Sequence, residues 1–145
     1  MASAVKTVQT LGPEEYRALA EFRYQIRKFL RLSEEAARAA GLEPQQHQLL
    51  LAVKGMPEDR RARVGEIAER LQIQHHSAVE LVDRLTANGL VTRKKSPEDR
   101  REVLISLTAK GERLLRELTQ HHQTELQEHL PSLVGSLKKM RSIAK

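Results

Sequence analysis

The spacing of apolar residues changes near residue 90, and this change constrains the fold more than any other feature. Before it, apolar residues recur every three or four positions, as in amphipathic helices. After it, Val103, Ile105 and Leu107 form the alternating set of a half-buried strand. Because the turn-forming residues 96–99 precede that set, the sequence predicts helices followed by a two-stranded hairpin.

Glycine and proline mark most of the predicted helix boundaries. Gly41 suits the left-handed position just past the first helix, and Pro44 suits the first turn of the next. Thr108 is a favourable N-cap for the fifth helix, and Pro131 is expected to end it. The six predicted helices span about residues 13–40, 44–54, 64–71, 75–88 and 109–130, with a last one that includes residues 133–140.

The charge and residue content restrict the functional classes. A net charge of +6 over 145 residues favours an acidic partner, nucleic acid first, although basic residues also solvate helix surfaces. The chain has no cysteine, which excludes disulfides and cysteine-based zinc sites. Since no signal peptide or apolar run of ~20 residues is present, we expect a cytoplasmic protein that does not bind a membrane.

The order of short helix, tight turn, longer helix and basic hairpin is that of a winged helix-turn-helix. Its second helix enters the major groove of duplex DNA through polar side chains at its N-terminal end. The candidate DNA-binding residues of that helix are Gln74, His75, His76, Ser77, Glu80 and Arg84.

The hairpin, or wing, carries the stronger electrostatic signal. Its basic side chains suit a phosphate-lined groove, and Asp99 can orient Arg101 by an ion pair. A solvated surface hairpin is the alternative. The candidate DNA-binding residues of the wing are Arg93, Lys94, Lys95, Asp99, Arg100 and Arg101.

Residues 64–111, with VGEIAERL, SAVELVDRLTANGLVTRK and SPEDRREVLISLTAKG, resemble the MarR family of winged helix-turn-helix regulators. The resemblance implies a mainly α fold with a small β-hairpin wing in a single domain of residues 1–145. It implies long dimerisation helices at 14–40 and 108–145, and a DNA-binding lobe at 44–107. Two chains would then bind a pseudo-palindromic operator as a homodimer, and Arg101 matches the family's minor-groove arginine.

Two positions depart from the family pattern. Gln72 and Gln74 stand where relatives usually have a turn glycine and a Ser or Thr cap. Because glutamine is a poor N-cap, the start of the recognition helix is either held less firmly or capped by Ser77 one turn later.

The signal that such a regulator would sense is open from the sequence. The resemblance implies a small-molecule effector, but no ligand-binding residue is identified and no cofactor is predicted. A zinc-responsive regulator is an alternative, since His122, Glu125 and His129 fall near one side of a helix. The resemblance implies that His47, near the start of the second helix, would complete the set. A solvated helix surface explains the same spacing.

Motifs for catalysis are missing from the sequence. It has no nucleophile elbow, phosphate-binding glycine loop, dinucleotide fingerprint or HExxH, so we predict that the protein is not an enzyme. A winged-helix protein-interaction module and a non-specific architectural protein are the remaining alternatives. The sequence therefore favours a sequence-specific DNA-binding regulator, a homodimeric repressor released by a small molecule.

Overall fold

A computed structural model describes residues 11–143. The N-terminal residues 1–10 and residues 144–145, which the predicted domain includes, lie outside the described residues. The fold is mainly helical with one antiparallel hairpin, as predicted. None of the helices within residues 11–143 is long and apolar enough to cross a membrane. The elements are α1 (Pro13–Ala39), α2 (Pro44–Lys54), α3 (Val64–Leu71), α4 (His75–Ala87), β1 (Val91–Lys95), β2 (Val103–Leu107) and α5 (Ala109–Ile143).

The chain forms two compact units, of which residues 32–124 make up the larger. Its core is built almost entirely from aliphatic side chains, as the scarcity of aromatic residues requires. Helix α4 contributes Leu81, Val82 and Leu85, and the hairpin contributes Val91 and Ile105. The other core residues are Ala36, Ala37, Leu42, Leu49, Leu50, Ile67, Leu90, Leu115 and Leu118.

Helices α1, α3 and α4 end in the same Schellman motif. In each, a residue at the end of the helix has a positive φ, and the next, apolar residue donates its N–H to the helix: Leu42 to Ala37 O, Ile73 to Ala68 O and Leu90 to Leu85 O. The left-handed position is Gly41 after α1 and Gly89 after α4. After α3 it is Gln72, with φ 54° and ψ 46°.

Gln72 compensates for the strain of this conformation with its side chain. The Nε2 group donates to the carbonyl oxygen of Glu69 at 2.8 Å and to its carboxylate at 3.2 Å. The chain therefore keeps the helix-turn-helix turn although the turn glycine expected from the family pattern is missing.

The hairpin is anchored in the core at its base and projects into solvent at its tip. Val91 pairs with Leu107 and Lys95 pairs with Val103 in the antiparallel register. Val91 and Ile105 are buried, whereas residues 93–95 are exposed. Ile105 N–H donates to the carbonyl oxygen of Ala62 at 2.9 Å, so the segment before α3 lies along the outer edge of β2.

The predicted break at Pro131 is wrong, because α5 continues through it to Ile143. Pro131 lies on the exposed side of the helix, where its missing N–H removes one hydrogen bond. On the opposite side of the helix, buried and half-buried residues recur every three or four positions both before and after the proline. This continuous buried face keeps the helix intact. Its buried or half-buried members are Leu118, His122, Leu126, His129, Leu133, Ser136 and Met140.

The smaller unit comprises residues 11–31 of the described chain together with residues 125–143. Here α1 and the C-terminal part of α5 meet through His129, whose Nε2 lies 3.0 Å from the carbonyl oxygen of Gln25. The ring of Phe29 stacks on the His129 imidazole at a centroid distance of 6.3 Å. In the smaller unit, His129 thus joins α5 to α1 through a polar contact and a ring contact.

His47 is buried in the larger unit, on α2. Burial lowers the pKa of His47, and repulsion from His122 lowers it further. The folded chain therefore holds the His47 imidazole neutral at a pH where an exposed histidine begins to take up a proton.

The conformation of Gln72 predicts how the turn responds to substitution. Glycine adopts a positive φ without strain, so Gln72→Gly should keep the free energy of unfolding or raise it by up to about 1 kcal/mol. A β-branched residue loses the side-chain hydrogen bonds and is strained, so Gln72→Val should lower it by about 1–2 kcal/mol. Urea unfolding measures both, and equal stability of the two variants would contradict the left-handed turn.

The pKa of His47 predicts a loss of stability in mild acid. As the pH falls below about 6.5, the unfolded chain takes up a proton at this histidine before the folded chain does, so folding becomes less favourable. The loss should approach about 1.4 kcal/mol for each unit by which the pKa is lowered.

Urea titrations at pH 7.5 and pH 5 test this effect. His47→Gln should reduce the difference between the two pH values, while the matched change at an exposed histidine, His76→Gln, should leave it in place. If both variants retained the full difference, His47 would not be its source.

Candidate nucleic-acid interface

Helix α4 separates an apolar side from a polar one. Ala78, Leu81, Val82 and Leu85 are buried in the lobe, and Val79 is half-buried. On the opposite side, the polar residues predicted from the sequence face solvent: Gln74, His75, His76, Glu80 and Arg84 are exposed, and Ser77 is half-buried. The helix therefore presents hydrogen-bonding groups outward from a rigid, buried base.

The start of α4 is set by backbone and not by a side-chain cap. Gln74 is the N-cap residue in extended conformation, its side chain makes no capping hydrogen bond, and its carbonyl oxygen accepts the N–H of Ala78 at 3.1 Å. The alternative that Ser77 caps the helix is wrong, because Ser77 is the third residue of α4.

The end of α4 is tied to the beginning of α5. Thr108 Oγ1 donates to the carbonyl oxygen of Gly89 at 2.6 Å and accepts the N–H of Gly111 at 3.0 Å, so it caps α5 as predicted. Lys110 Nζ donates to the carbonyl oxygen of Asn88 at 3.3 Å. These contacts fix the position of the recognition helix relative to the hairpin that follows it.

The basic residues of the wing differ in what they contact. Arg93 forms an ion pair with Asp83 on α4, and its guanidinium lies 3.5 Å from Thr86 Oγ1. Lys94, Lys95 and Arg100 are exposed. Arg93 thus joins β1 to the recognition helix, whereas the other side chains are directed to solvent.

Arg101 at the wing tip is oriented by Asp99. One oxygen of the Asp99 carboxylate accepts the backbone N–H of Arg101 at 3.0 Å and lies 3.6 Å from its Nε. The Arg101 side chain is 94% exposed. An exposed ion pair of this kind contributes little to stability, so the guanidinium can exchange it for a phosphate or a base edge.

The wing tip is held by residues that were not among the predicted site residues: Ser96, Arg61, Arg63, Glu98 and Glu102. Ser96 is 2% exposed, and its Oγ accepts hydrogen bonds from Arg61 NH1 and from the backbone of Glu98 and Asp99. Arg61 also forms an ion pair with Glu98 through its NH2. Its NH1 lies 3.6 Å from the Glu102 carboxylate, and Nε of Arg63 lies 3.5 Å from the same carboxylate. The basic run at residues 60–63 was the only signal in the sequence.

The recognition helix and the wing border one open cleft of about 440 Å³. The N-terminal end of α4 contributes His75, and the wing contributes Asp99 and Arg101. The remaining lining residues are Arg63, Val64, Gly65, Glu102 and Val103. Residues that are up to 40 positions apart in the sequence therefore meet on one surface, which carries three side chains capable of holding a positive charge.

Within residues 11–143, no group of three or more His, Cys, Asp or Glu side chains is arranged to hold a metal ion. In particular, Nε2 of His129 is already engaged by the carbonyl oxygen of Gln25. The zinc alternative at His122, Glu125 and His129 has no preformed ligand set in this part of the chain.

A helix-turn-helix followed by a basic hairpin defines a winged helix-turn-helix protein. Residues 40–102 match the sequence model of the MarR family. The winged helix-turn-helix of this chain is therefore similar to that of MarR family regulators.

Sequence relatives match about half of the chain. The chain is 36% identical over 73 residues to the uncharacterized HTH-type transcriptional regulator YsmB of Bacillus subtilis, and this match covers 50% of the chain and 47% of YsmB. It is 34% identical over 80 residues to the HTH-type transcriptional regulator PapX of Escherichia coli, and this match covers 55% of the chain and 49% of PapX. The match thus spans about half the length of these relatives.

Solved structures share the fold over most of the chain. AbsC, a MarR family transcriptional regulator from Streptomyces coelicolor, superposes with a TM-score of 0.74 at 21% identity, covering 95% of this chain and 94% of AbsC. CouR from Rhodococcus jostii RHA1, solved with p-coumaroyl-CoA bound, gives 0.65 at 23% identity and covers 81% of each chain. At these identities the likeness establishes the fold.

Proposed function

We propose that the protein is a transcription regulator that binds a specific duplex DNA sequence. The observation that carries this proposal is the cleft shared by His75 of α4 and Arg101 of the wing. A polar helix end suits the major groove, and an exposed arginine on a β-hairpin suits the neighbouring minor groove, where the negative potential is enhanced. The names of the sequence relatives, which are HTH-type transcriptional regulators, support the same role.

The candidate residues fall into two roles on this surface. Those at the start of α4 reach base edges and set sequence preference: Gln74, His75, His76, Ser77 and Glu80. Those with positive side chains bind phosphates or the minor groove and set affinity: Arg84, Lys94, Lys95, Arg100 and Arg101. Arg84 is paired to Glu43 at 3.6 Å between two largely exposed side chains, a weak contact that DNA phosphate can replace.

The apolar surface of the smaller unit supports a homodimer. Leu130, Val134 and Leu137 lie on one side of α5 at offsets of four and three, and each is 43–52% exposed. On α1, Tyr16 and Leu19 are 60% and 46% exposed. A second copy of the chain covering these side chains would remove apolar area from water and present two recognition helices to a pseudo-palindromic operator.

We assign the dimer a repressor role, in which bound protein occupies promoter DNA until a small molecule releases it. One structural neighbour, CouR, was solved with p-coumaroyl-CoA, which gives a precedent for a small-molecule effector. The larger unit has an apolar cleft of about 270 Å³ that is suited to an apolar ligand group. Its lining residues are Ala36, Ala39, Ala40, Leu114, Glu117, Leu118 and His121.

The DNA-binding proposal predicts different outcomes for the wing and the helix. After selection of bound sequences from a random DNA pool, Arg101→Ala should weaken binding roughly tenfold on all duplexes and reduce the salt slope by about 1. Gln74→Ala and His76→Ala should change base preference more than affinity for random DNA. Fluorescence anisotropy at several salt concentrations measures these effects, with Arg116→Ala on α5 as the charge-matched control.

Two results would overturn this assignment. The wild-type protein should prefer the selected operator over random duplex by about a thousandfold or more. A steep salt slope without that preference would indicate an architectural protein, and no binding to any duplex would favour a protein-interaction module.

The dimer predicts a sedimenting mass of twice the 16.5 kDa chain at micromolar concentration. The pair of substitutions Val134→Glu and Leu137→Glu should produce a folded monomer, because carboxylates on this surface would be desolvated against a second copy. Leu51→Glu is the matched control, since Leu51 is 45% exposed on α2 in the other unit. A wild-type monomer, or a dimer that tolerates both glutamates, would contradict this interface.

A further inference from the structure

The side chain of Arg61 contacts three acceptors of the wing that lie 35 to 41 positions further along the chain. Its NH1 donates to the buried Ser96 Oγ at 3.2 Å and lies 3.6 Å from the carboxylate of Glu102, and its NH2 pairs with Glu98. One planar guanidinium thus joins the two ends of the loop that connects β1 to β2. Arginine suits this position because its donors are fixed in a rigid fork.

The backbone of the same loop depends on the groups that Arg61 holds. Ser96 N–H donates to the carbonyl oxygen of Glu102 at 2.8 Å, and Glu102 N–H donates to that of Asp99 at 3.0 Å. The Ser96 Oγ that receives Arg61 also accepts the N–H groups of Glu98 and Asp99. Asp99 in turn accepts the backbone N–H of Arg101, so a continuous set of hydrogen bonds leads from Arg61 to the backbone of Arg101, whose Nε lies 3.6 Å from the same carboxylate.

We propose that Arg61 is a positioning residue that preorganises the wing tip, so that Arg101 meets DNA without a further ordering step. This inference rests on the proposed DNA-binding function and adds a residue outside the helix and the hairpin. The geometry predicts that Arg61 acts through Arg101 and not through a DNA contact of its own, because its donors are already directed at Ser96, Glu98 and Glu102.

Arg61 also offsets negative charge close to the DNA-binding surface. Glu98 and Glu102 lie on the same loop as Arg101, and unpaired carboxylates there would repel phosphate. Arg63 pairs with Glu102 from the same segment before α3, at 3.5 Å. Each exposed pair contributes little alone, but here several charges share a network with a buried hydroxyl.

The first test uses the free protein and needs no DNA. In Arg61→Ala, amide hydrogen exchange at Ser96 and Glu102 should become about tenfold faster, the effect of losing a charge-assisted hydrogen bond in a partly exposed site. Glu98→Gln should produce a smaller change in the same direction. Arg60→Ala is the control, because Arg60 is adjacent, exposed and equally charged, but lines a different cleft with Glu66 and Glu69.

The second test is a double-mutant cycle on the selected operator. Arg61→Ala should weaken binding about tenfold in the wild-type background and less than about twofold when Arg101→Ala is already present. If the fold-losses of affinity from the two single substitutions multiplied in the double variant, the positioning role would be overturned. Unchanged amide exchange in Arg61→Ala would overturn it as well. If the wild-type protein bound no operator, the DNA-binding function would fail, and the exchange experiment would still decide whether Arg61 orders the loop.

Discussion

The burial of one side of α4 is the interaction on which the rest of the structure depends. Leu81, Val82 and Leu85 are each at most 4% exposed in the core of the larger unit, and they fix the rotation of the helix about its axis. Because successive residues of a helix point in fixed directions, burying this side commits His75, His76 and Glu80 to solvent. The polar surface that we propose binds DNA is therefore a consequence of apolar packing beneath it.

The wing adds a second level of order, which is electrostatic. Its arginines have two kinds of environment: Arg93 is paired within the fold, whereas Arg101 is held by Asp99 in a contact weak enough to be exchanged. Paired arginines set the position of the hairpin, and exposed ones remain available to DNA. A formal count of positive charges along the hairpin does not reveal this division.

Local patterns in the sequence predicted most of the fold. The change of apolar spacing near residue 90 located the hairpin, Gly41 located the end of α1, and Thr108 located the start of α5. The predicted helix end at Pro131 was wrong, because the hydrogen bond lost at the proline is outweighed by a buried helix face that continues on both sides of it. The conformation of Gln72 was not predicted either, since it depends on a Schellman motif that elsewhere in the chain uses glycine.

The partners of charged side chains could not be predicted in the same way. Arg61 meets Ser96 and Glu102 only because β2 lies beside the segment that precedes α3, an arrangement that periodicity does not encode. The same applies to the cleft that brings His75 to Arg101. Sequence thus identified which residues could contact DNA, and the structure showed which of them share a surface.

We propose that α4 and the wing read one DNA site together, in adjacent grooves. Hydroxyl-radical footprinting and guanine N7 methylation protection on the selected operator test it directly. We predict major-groove protection in two half-sites about one helical turn apart, with minor-groove protection beside each that Arg101→Ala removes while the major-groove pattern stays. Protection of the minor groove that is unchanged in Arg101→Ala, or no major-groove protection at all, would contradict the claim.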